Sequence, residues 1–257
     1  MAESISNDNG RAPRDFGETL GAIFSRYPKL FGSLLPVGVL LGLLLAVTET
    51  VQLGGLELIE AGELPGPAFY AAVIAGLVGN AYFWAVALLR ADGVLAGGGE
   101  GSFSRARGML LPVLGYALVY ALLVMLGLVL LALPGIFLAV LLAPGVMLIV
   151  LRDSGVFAAL KRSAVLVWGS WWFSLGILLT VTLVAVIPVS IAEAFLVDLR
   201  ASPDPGDWMT VAALNVAAMV LVLPLLASMG YTLLQALEAR RHNAMMEREF
   251  LREAGSR

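Results

Sequence analysis

Polar positions along this chain are gathered into short clusters. Between them lie five stretches without a charge: Leu30–Thr48, Leu64–Leu89, Gly108–Leu151, Ser163–Ala192 and Trp208–Leu237. A helix needs about 20 apolar residues to cross the hydrocarbon core of a bilayer. Gly108–Leu151 holds 44 residues, about 66 Å as one helix at about 1.5 Å per residue. That is twice a bilayer, so the stretch must fold back, and Pro134-Gly135 is the turn the pattern suggests. Five stretches thus predict six spans: about Leu30–Val51, Gly66–Leu89, Met109–Leu131, Ile136–Leu151, Trp171–Ala192 and Trp208–Tyr231. The runs are too long and too continuous for barrel strands, and backbone groups in lipid must pair internally.

Two amphipathic segments flank the spans. Asp15 followed by Glu18 resembles a capping box, and Phe16, Leu20, Ile23, Phe24 and Tyr27 share a helical face beyond it. This predicts an interfacial helix, with a plain extension of the first span as the alternative. In Gly155–Trp168, Phe157, Leu160, Ala164 and Trp168 form an apolar face, with Lys161 beside it and Arg162 turned further towards water. Pro144-Gly145 is expected to kink the fourth span and Pro188 to bend the fifth. Gly38 and Gly42 are spaced to let another helix approach closely, and Ala72, Gly76 and Asn80 give the second span one small face. The tail beyond the sixth span reads as a charged helix in which Glu238 and Arg241 can pair.

Composition and charge sharpen this picture. The chain of 257 residues is 60% hydrophobic and 14% charged, against about 45–50% and about 25% in soluble domains. The segments before span one, between two and three, between four and five, and after six hold 4, 3, 3 and 5 cations; the other side holds only Arg200. That asymmetry predicts cytoplasmic termini. The expected architecture is all-α, a polytopic membrane protein of six transmembrane helices in three hairpins with interfacial amphipathic helices. Residues 1–14 are expected to be disordered, 15–237 to form a single six-helix domain, and 238–257 a cytoplasmic helix. The phrases FGSLLPVGVL, ARGMLLPVLG and WGSWWFSLGIL are faintly alike; a three-fold repeat and shared hydrophobic composition explain this equally well.

With no cysteine and a single histidine, His242, disulfides, thiol catalysis, cysteine-ligated metals and a His-centred triad are excluded. The N-terminus does not read as a cleavable signal peptide. GGGEG at 97–101 lacks the Lys-Ser/Thr ending of a phosphate loop. Ser163 near Lys161 is set aside as a dyad, because no oxyanion donors accompany it. No cofactor, metal or nucleic acid is expected.

LPGIFLAVLLAPGVMLIV, GVFAALKRSAVLVW and AGLVGNA at Ala75–Ala81 resemble the YciC-like family of uncharacterised bacterial inner-membrane proteins. That family is broadly similar to the membrane domains of some glycerophosphodiester phosphodiesterases. The resemblance implies six spans in a bacterial cytoplasmic membrane and supplies no catalytic residues. The soluble phosphodiesterase domain, with its metal-binding acids and histidines, has no counterpart here.

The candidate sites are modest. Asn80 and Asn215 are read as intramembrane polar contacts, through an interhelical hydrogen bond or a bound substrate. Glu193 is taken as the only acid adjoining an uncharged span, snorkelling to water or relaying protons. Arg26, Lys29, Arg105, Arg107, Arg152, Lys161 and Arg162 are candidate lipid-headgroup contacts. Trp168, Trp171, Trp172, Tyr27 and Trp208 read as interface aromatics. Helix 155–168 would read lipid charge or dock a cytosolic partner; the alternative is that its cations only set orientation. The expected function is non-enzymatic, through contacts with lipids, anionic ones included, or with an unidentified protein partner in envelope homeostasis. A small transporter or channel for an apolar or lipid-like substrate is the alternative. It is disfavoured because no ionisable residue is read in mid-span.

Overall fold

The computed structural model describes residues 15–97, 101–195 and 205–255; the side chains of 192, 193, 195, 205–207, 248 and 250–255 are excepted. The expectation for residues 1–14, the outer loop with Arg200, and the Glu193 side chain fall outside that description. Among the described residues eight α-helices follow in order: α1 Phe16–Glu60, α2 Pro67–Ala96, α3 Ser102–Leu130, α4 Ala132–Leu142, α5 Gly145–Arg152, α6 Val156–Val167, α7 Trp171–Phe195 and α8 Pro205–Gly255. No strand occurs among the described residues. Among the described residues six helical segments, α4 with α5 counting as one and α6 with α7 as another, are long and apolar enough to cross a membrane, as the hydrophobic pattern requires.

Asp15 caps α1 as expected, its Oδ1 accepting from the Glu18 N–H at 2.7 Å. The helix then continues without interruption for 45 residues. The first amphipathic segment is therefore an extension of the first span and not a separate interfacial helix. Its inner face is kept on the bundle: Ser228 Oγ donates to the Ile23 carbonyl (2.8 Å), and Arg26 Nη1 donates to Thr232 Oγ1 (2.8 Å) and Gln235 Oε1 (3.1 Å).

α1, α2 and α8 form the backbone of the fold. α8 runs antiparallel to α1 and approaches it most closely at Gly38 and Gly42. A Cβ at Gly38 would lie 2.9 Å from Val220 Cα, and one at Gly42 only 2.5 Å from Val216 Cα. The expected small-residue seam exists, and α8 is the helix that uses it. α2 returns along α1, with Gly76 facing Thr48 and Gln52 Nε2 donating to the Ala72 carbonyl at 3.4 Å. Arg90, just past the expected end of the second span at Leu89, lies within α2. Its Nη1 donates to the Ser33 carbonyl (2.7 Å), and its guanidinium sits 4.9 Å from the Phe103 ring centre.

The turn expected at Pro134-Gly135 falls earlier. Leu131 alone breaks the chain, in extended conformation, and Pro134 sits in the first turn of α4, where a missing N–H removes no helical bond. Gly135 instead closes the hairpin, because a Cβ on the facing Gly127 would lie 2.8 Å from Gly135 Cα. The break at Ala143-Pro144 is present and separates α4 from α5. Asp153 ends α5 in the left-handed region, φ 48°, a conformation that Asp tolerates better than most residues. Its carboxylate meets Arg105 at 3.0 Å.

Three upright hairpins are not what these contacts show. Such an arrangement puts residue 137 near the outer face and residue 171 near the inner face of a hydrocarbon layer about 30 Å thick. Yet Phe137 stacks on Trp171, ring centres 5.6 Å apart, and Trp171 Nε1 donates to the Phe137 carbonyl at 3.3 Å. The α3–α4 hairpin is thus inclined across the end of the bundle where α7 begins. Its far half leaves Leu131 and Leu133 69% and 79% exposed.

α6 presents two distinct faces. Ala159, Ser163, Leu166 and Val167 are buried, whereas Phe157, Lys161, Val165 and Trp168 form an exposed stripe. Small residues win the inner face because they admit α4 closely. Bulky apolar side chains lose little by facing hydrocarbon.

Candidate functional site

All the long helices converge on a cavity of about 730 Å3. α1 supplies Thr48, Glu49 and Gln52; α2 supplies Gly76, Asn80 and Trp84; α3 supplies Tyr116 and Tyr120. The α4–α5 break closes one side through Ala143 and Met147, with Leu178 of α7 and Met229 of α8 behind. Val73 and Leu77 belong to the lining and are 41% and 60% exposed. The mouth therefore opens on the outward side of α2.

The broken helix shapes this cavity by a hydrogen-bond requirement. Interrupting α4 at Leu142 strands the carbonyls of its last turn, and a stranded carbonyl in an apolar interior is costly. Tyr116 Oη donates to the Leu142 carbonyl, Tyr120 Oη to the Ala139 carbonyl (3.3 Å), and Ser163 Oγ to the Leu141 carbonyl (2.9 Å). α3 and α6 thereby brace the break from two sides. The two tyrosine rings stack with centres 6.2 Å apart. Ser163 is fully buried while Lys161 is exposed, so the two side chains do not form a dyad.

Of the two asparagines, only Asn80 reaches the cavity. It makes no hydrogen bond among the described residues, so the interhelical bond, one of the two readings for it, is not seen there. Asn215 is buried on the α1 side, and its Nδ2 donates within its own helix to the Val211 carbonyl at 3.3 Å. Glu49 was overlooked as a mid-span group because the uncharged run ends at Thr48. Its neighbour Thr48 meets Gly76, nine residues inside α2 and about 14 Å from that helix's start. Tyr116 and Tyr120 carried no motif. Their position opposite a Pro-Gly break was the available signal, legible only once α3 and α4 were known to pair.

The basic residues divide by what they touch. Arg152 clasps Glu238 through Nη2 (2.7 Å) and Nε (3.3 Å), and Arg162 Nη2 reaches the same carboxylate at 2.9 Å. Glu238 therefore ties α5, α6 and α8 together. Arg241, expected to pair with it, donates to the Val165 carbonyl at 2.6 Å. Arg26 and Arg105 are held as described above. Lys29 is exposed, and Arg107 and Lys161 project outward with no ion pair among the described residues. Trp168 and Trp172 are 71% and 79% exposed, and Trp208 Nε1 donates to Thr50 Oγ1 at 3.3 Å.

Six membrane-length apolar helices around an internal cavity define the class as a multi-pass integral membrane protein. Comparison of the chain with models of known families, with curated proteins and with solved structures gives no match.

Proposed function

We propose that this is a non-enzymatic protein of a bacterial cytoplasmic membrane, with both termini cytoplasmic, that holds a lipid-like molecule in its internal cavity. The cavity carries the reading: it has the size of small-molecule sites, about 300–1,000 Å3, mostly apolar walls, and a few polar groups gathered at Thr48, Gln52 and Asn80. The basic end supports a second set of contacts. Lys161 and Arg107 meet anionic headgroups there, while Arg26, Arg105, Arg152 and Arg162 serve mainly to fasten helices. The cation asymmetry and the YciC-like resemblance support the membrane and the orientation.

Native mass spectrometry of the protein released from its own membrane tests the reading. A retained lipid is expected, and Ala117→Trp, which places an indole in the cavity, expels it without unfolding the chain. Asn80→Leu is expected to leave thermal stability unchanged and weaken retention. Equal retention by the Ala117→Trp protein overturns the cavity as the binding site. Reporter fusions after Gly98, Ser154 or Arg257 are expected to read cytoplasmic, and after Glu60 or Asp204 periplasmic; a cytoplasmic signal at Glu60 overturns the orientation. Movement of the bound molecule across the membrane is a second reading, favoured by the mouth at Val73 and Leu77 and by the break in α4–α5.

A further inference from the structure

We infer that the cavity takes a single-chain amphiphile with an uncharged, hydroxyl-bearing head. The head lies by Thr48 and Asn80, and the chain runs towards Met147, where the wall sets the length accepted. The inference rests on the proposal that the cavity binds a lipid-like molecule, and it adds the class and the orientation of that molecule.

Three observations converge on it. The first is the shape of the cavity. One end lies where Gly76 of α2 faces Thr48 and Gln52 of α1. The other lies where Leu88 and Met147 meet α8, Met147 Cε standing 2.9 Å from where a Cβ on Gly230 would be. Leu88 follows Gly76 by 12 residues in α2, about 18 Å at about 1.5 Å per residue. The acyl chains of one leaflet fill half of a hydrocarbon core about 30 Å thick, so a slot of this length accommodates one extended chain.

The second is the difference between the two ends. Thr48, Gln52 and Asn80 belong to the first, whereas Val146, Met147, Leu178, Leu226 and Met229 line the second and bring no N–H or O–H group. The first end is also the one with the mouth at Val73 and Leu77; at the second, Leu88 and Met229 are only 1% and 7% exposed. A polar head at the closed end would stand without hydrogen-bond partners, at a cost. An alkyl chain there exchanges hydrocarbon for hydrocarbon-like walls, so the head stays at the mouth end.

The third is what the polar end offers. Thr48 Oγ1 donates within its helix to the Leu44 carbonyl at 2.9 Å, and a Gln52 amide proton goes to the Ala72 carbonyl. Asn80 keeps both its amide N–H groups and its carbonyl oxygen uncommitted among the described residues. A hydroxyl, donor and acceptor at once, answers both. No Lys, Arg or His joins the lining, and Glu49 already interacts within the protein. A charged head would therefore leave water for walls that offer it no counter-charge, which is costly.

The test uses the full chain in a neutral sterol-based detergent, which brings no alkyl chain of its own, and reads bound probe by native mass spectrometry. The probes are 1-monoacylglycerols from octanoyl to eicosanoyl in equal amounts, with an alkyl sulfate and an alkyltrimethylammonium of matched chain. The unaltered protein is expected to favour one monoacylglycerol length and to hold both charged compounds less tightly. Met147→Ala is expected to move the favoured length up by about two or three carbons, the reach removed from the side chain, and Leu226→Phe to move it down. Asn80→Leu is expected to weaken every length alike without moving the maximum. A flat response to length, a maximum that neither far-end variant moves, or a charged compound held as tightly as its matched monoacylglycerol overturns the inference. The cavity reading survives each of these results as long as Ala117→Trp loses the adducts. Absence of any adduct overturns the cavity reading itself. Should one far-end variant fail to fold, the other decides.

Discussion

The α1–α8 seam and the α3–α4 hairpin are both built from long apolar helices, yet they are held by different means. Along α1, glycines bring the α8 backbone so close that no side chain could be added at Gly42. The contact is dispersion between two long surfaces, and the end nearer the start of α1 is finished by Arg26 and Ser228. The α3–α4 pair shares one glycine contact near its tip, and otherwise depends on hydroxyl groups answering the carbonyls of a broken helix. Where apolar burial drives little association, as in hydrocarbon, close backbone approach and satisfied polar groups are the available stabilisers. One region uses mainly the first; the other needs the second because its helix is interrupted.

That contrast can be broken at either end. Gly42→Leu should have the largest effect, forcing α1 and α8 apart at a cost of about 3 kcal/mol or more, read as a fall in the thermal midpoint of the purified protein. Gly54→Leu is the matched control: nothing lies within 4 Å of a Cβ there, so a change within about 0.5 kcal/mol is expected. An equal response at the two sites would show that α8 is not seated on Gly42.

Gly127→Leu should cost less, about 2 kcal/mol, and the damage should stay local. Hydrogen exchange is expected to lose protection around 120–140 while the α1–α8 seam keeps its own. Tyr116→Phe follows at about 1–2 kcal/mol, because the Leu142 carbonyl then stands unpaired in an apolar interior; Tyr120→Phe, which breaks a longer bond, should cost less. A seam loosened as much as the hairpin by Tyr116→Phe would mean that the two regions are not separable.

The smallest effect is expected at Glu238→Gln. Its two arginine pairs leave Glu238 24% exposed and the arginines 41% and 47% exposed, and pairs so open to water contribute about 1 kcal/mol or less. The loss should shrink further in high salt. A salt-independent loss would place the cluster in a drier setting than these exposures indicate.

Much of the architecture was legible before any coordinates. Long uncharged runs led to six helices because a bilayer-spanning segment needs length and apolarity and little else. The Gly38–Gly42 seam and the Pro144 break were readable because glycine and proline act through their own backbones. The inward turn of Ala159 and Ser163 was not readable, because close packing by small residues leaves no apolar stripe, whereas Phe157 and Trp168 stay exposed as a lipid-facing pair would. Glu49 was missed for a plainer reason: marking a run by its first charge puts that charge at an edge, although the helix continues to Glu60.

What the amino-acid order settled by itself, then, was the material: how many apolar helices, where they break, and which ends carry cations. These follow from local composition, since each residue's cost in hydrocarbon is its own. Tertiary structure alone decided that α3 and α4 lie across the bundle end, that Tyr116, Tyr120 and Ser163 answer one broken turn, and that Glu49 shares a cavity with three aromatic rings. Those arrangements depend on which stranded carbonyl meets which distant hydroxyl, and pairing between residues 26 or 22 positions apart leaves no periodic mark on the chain.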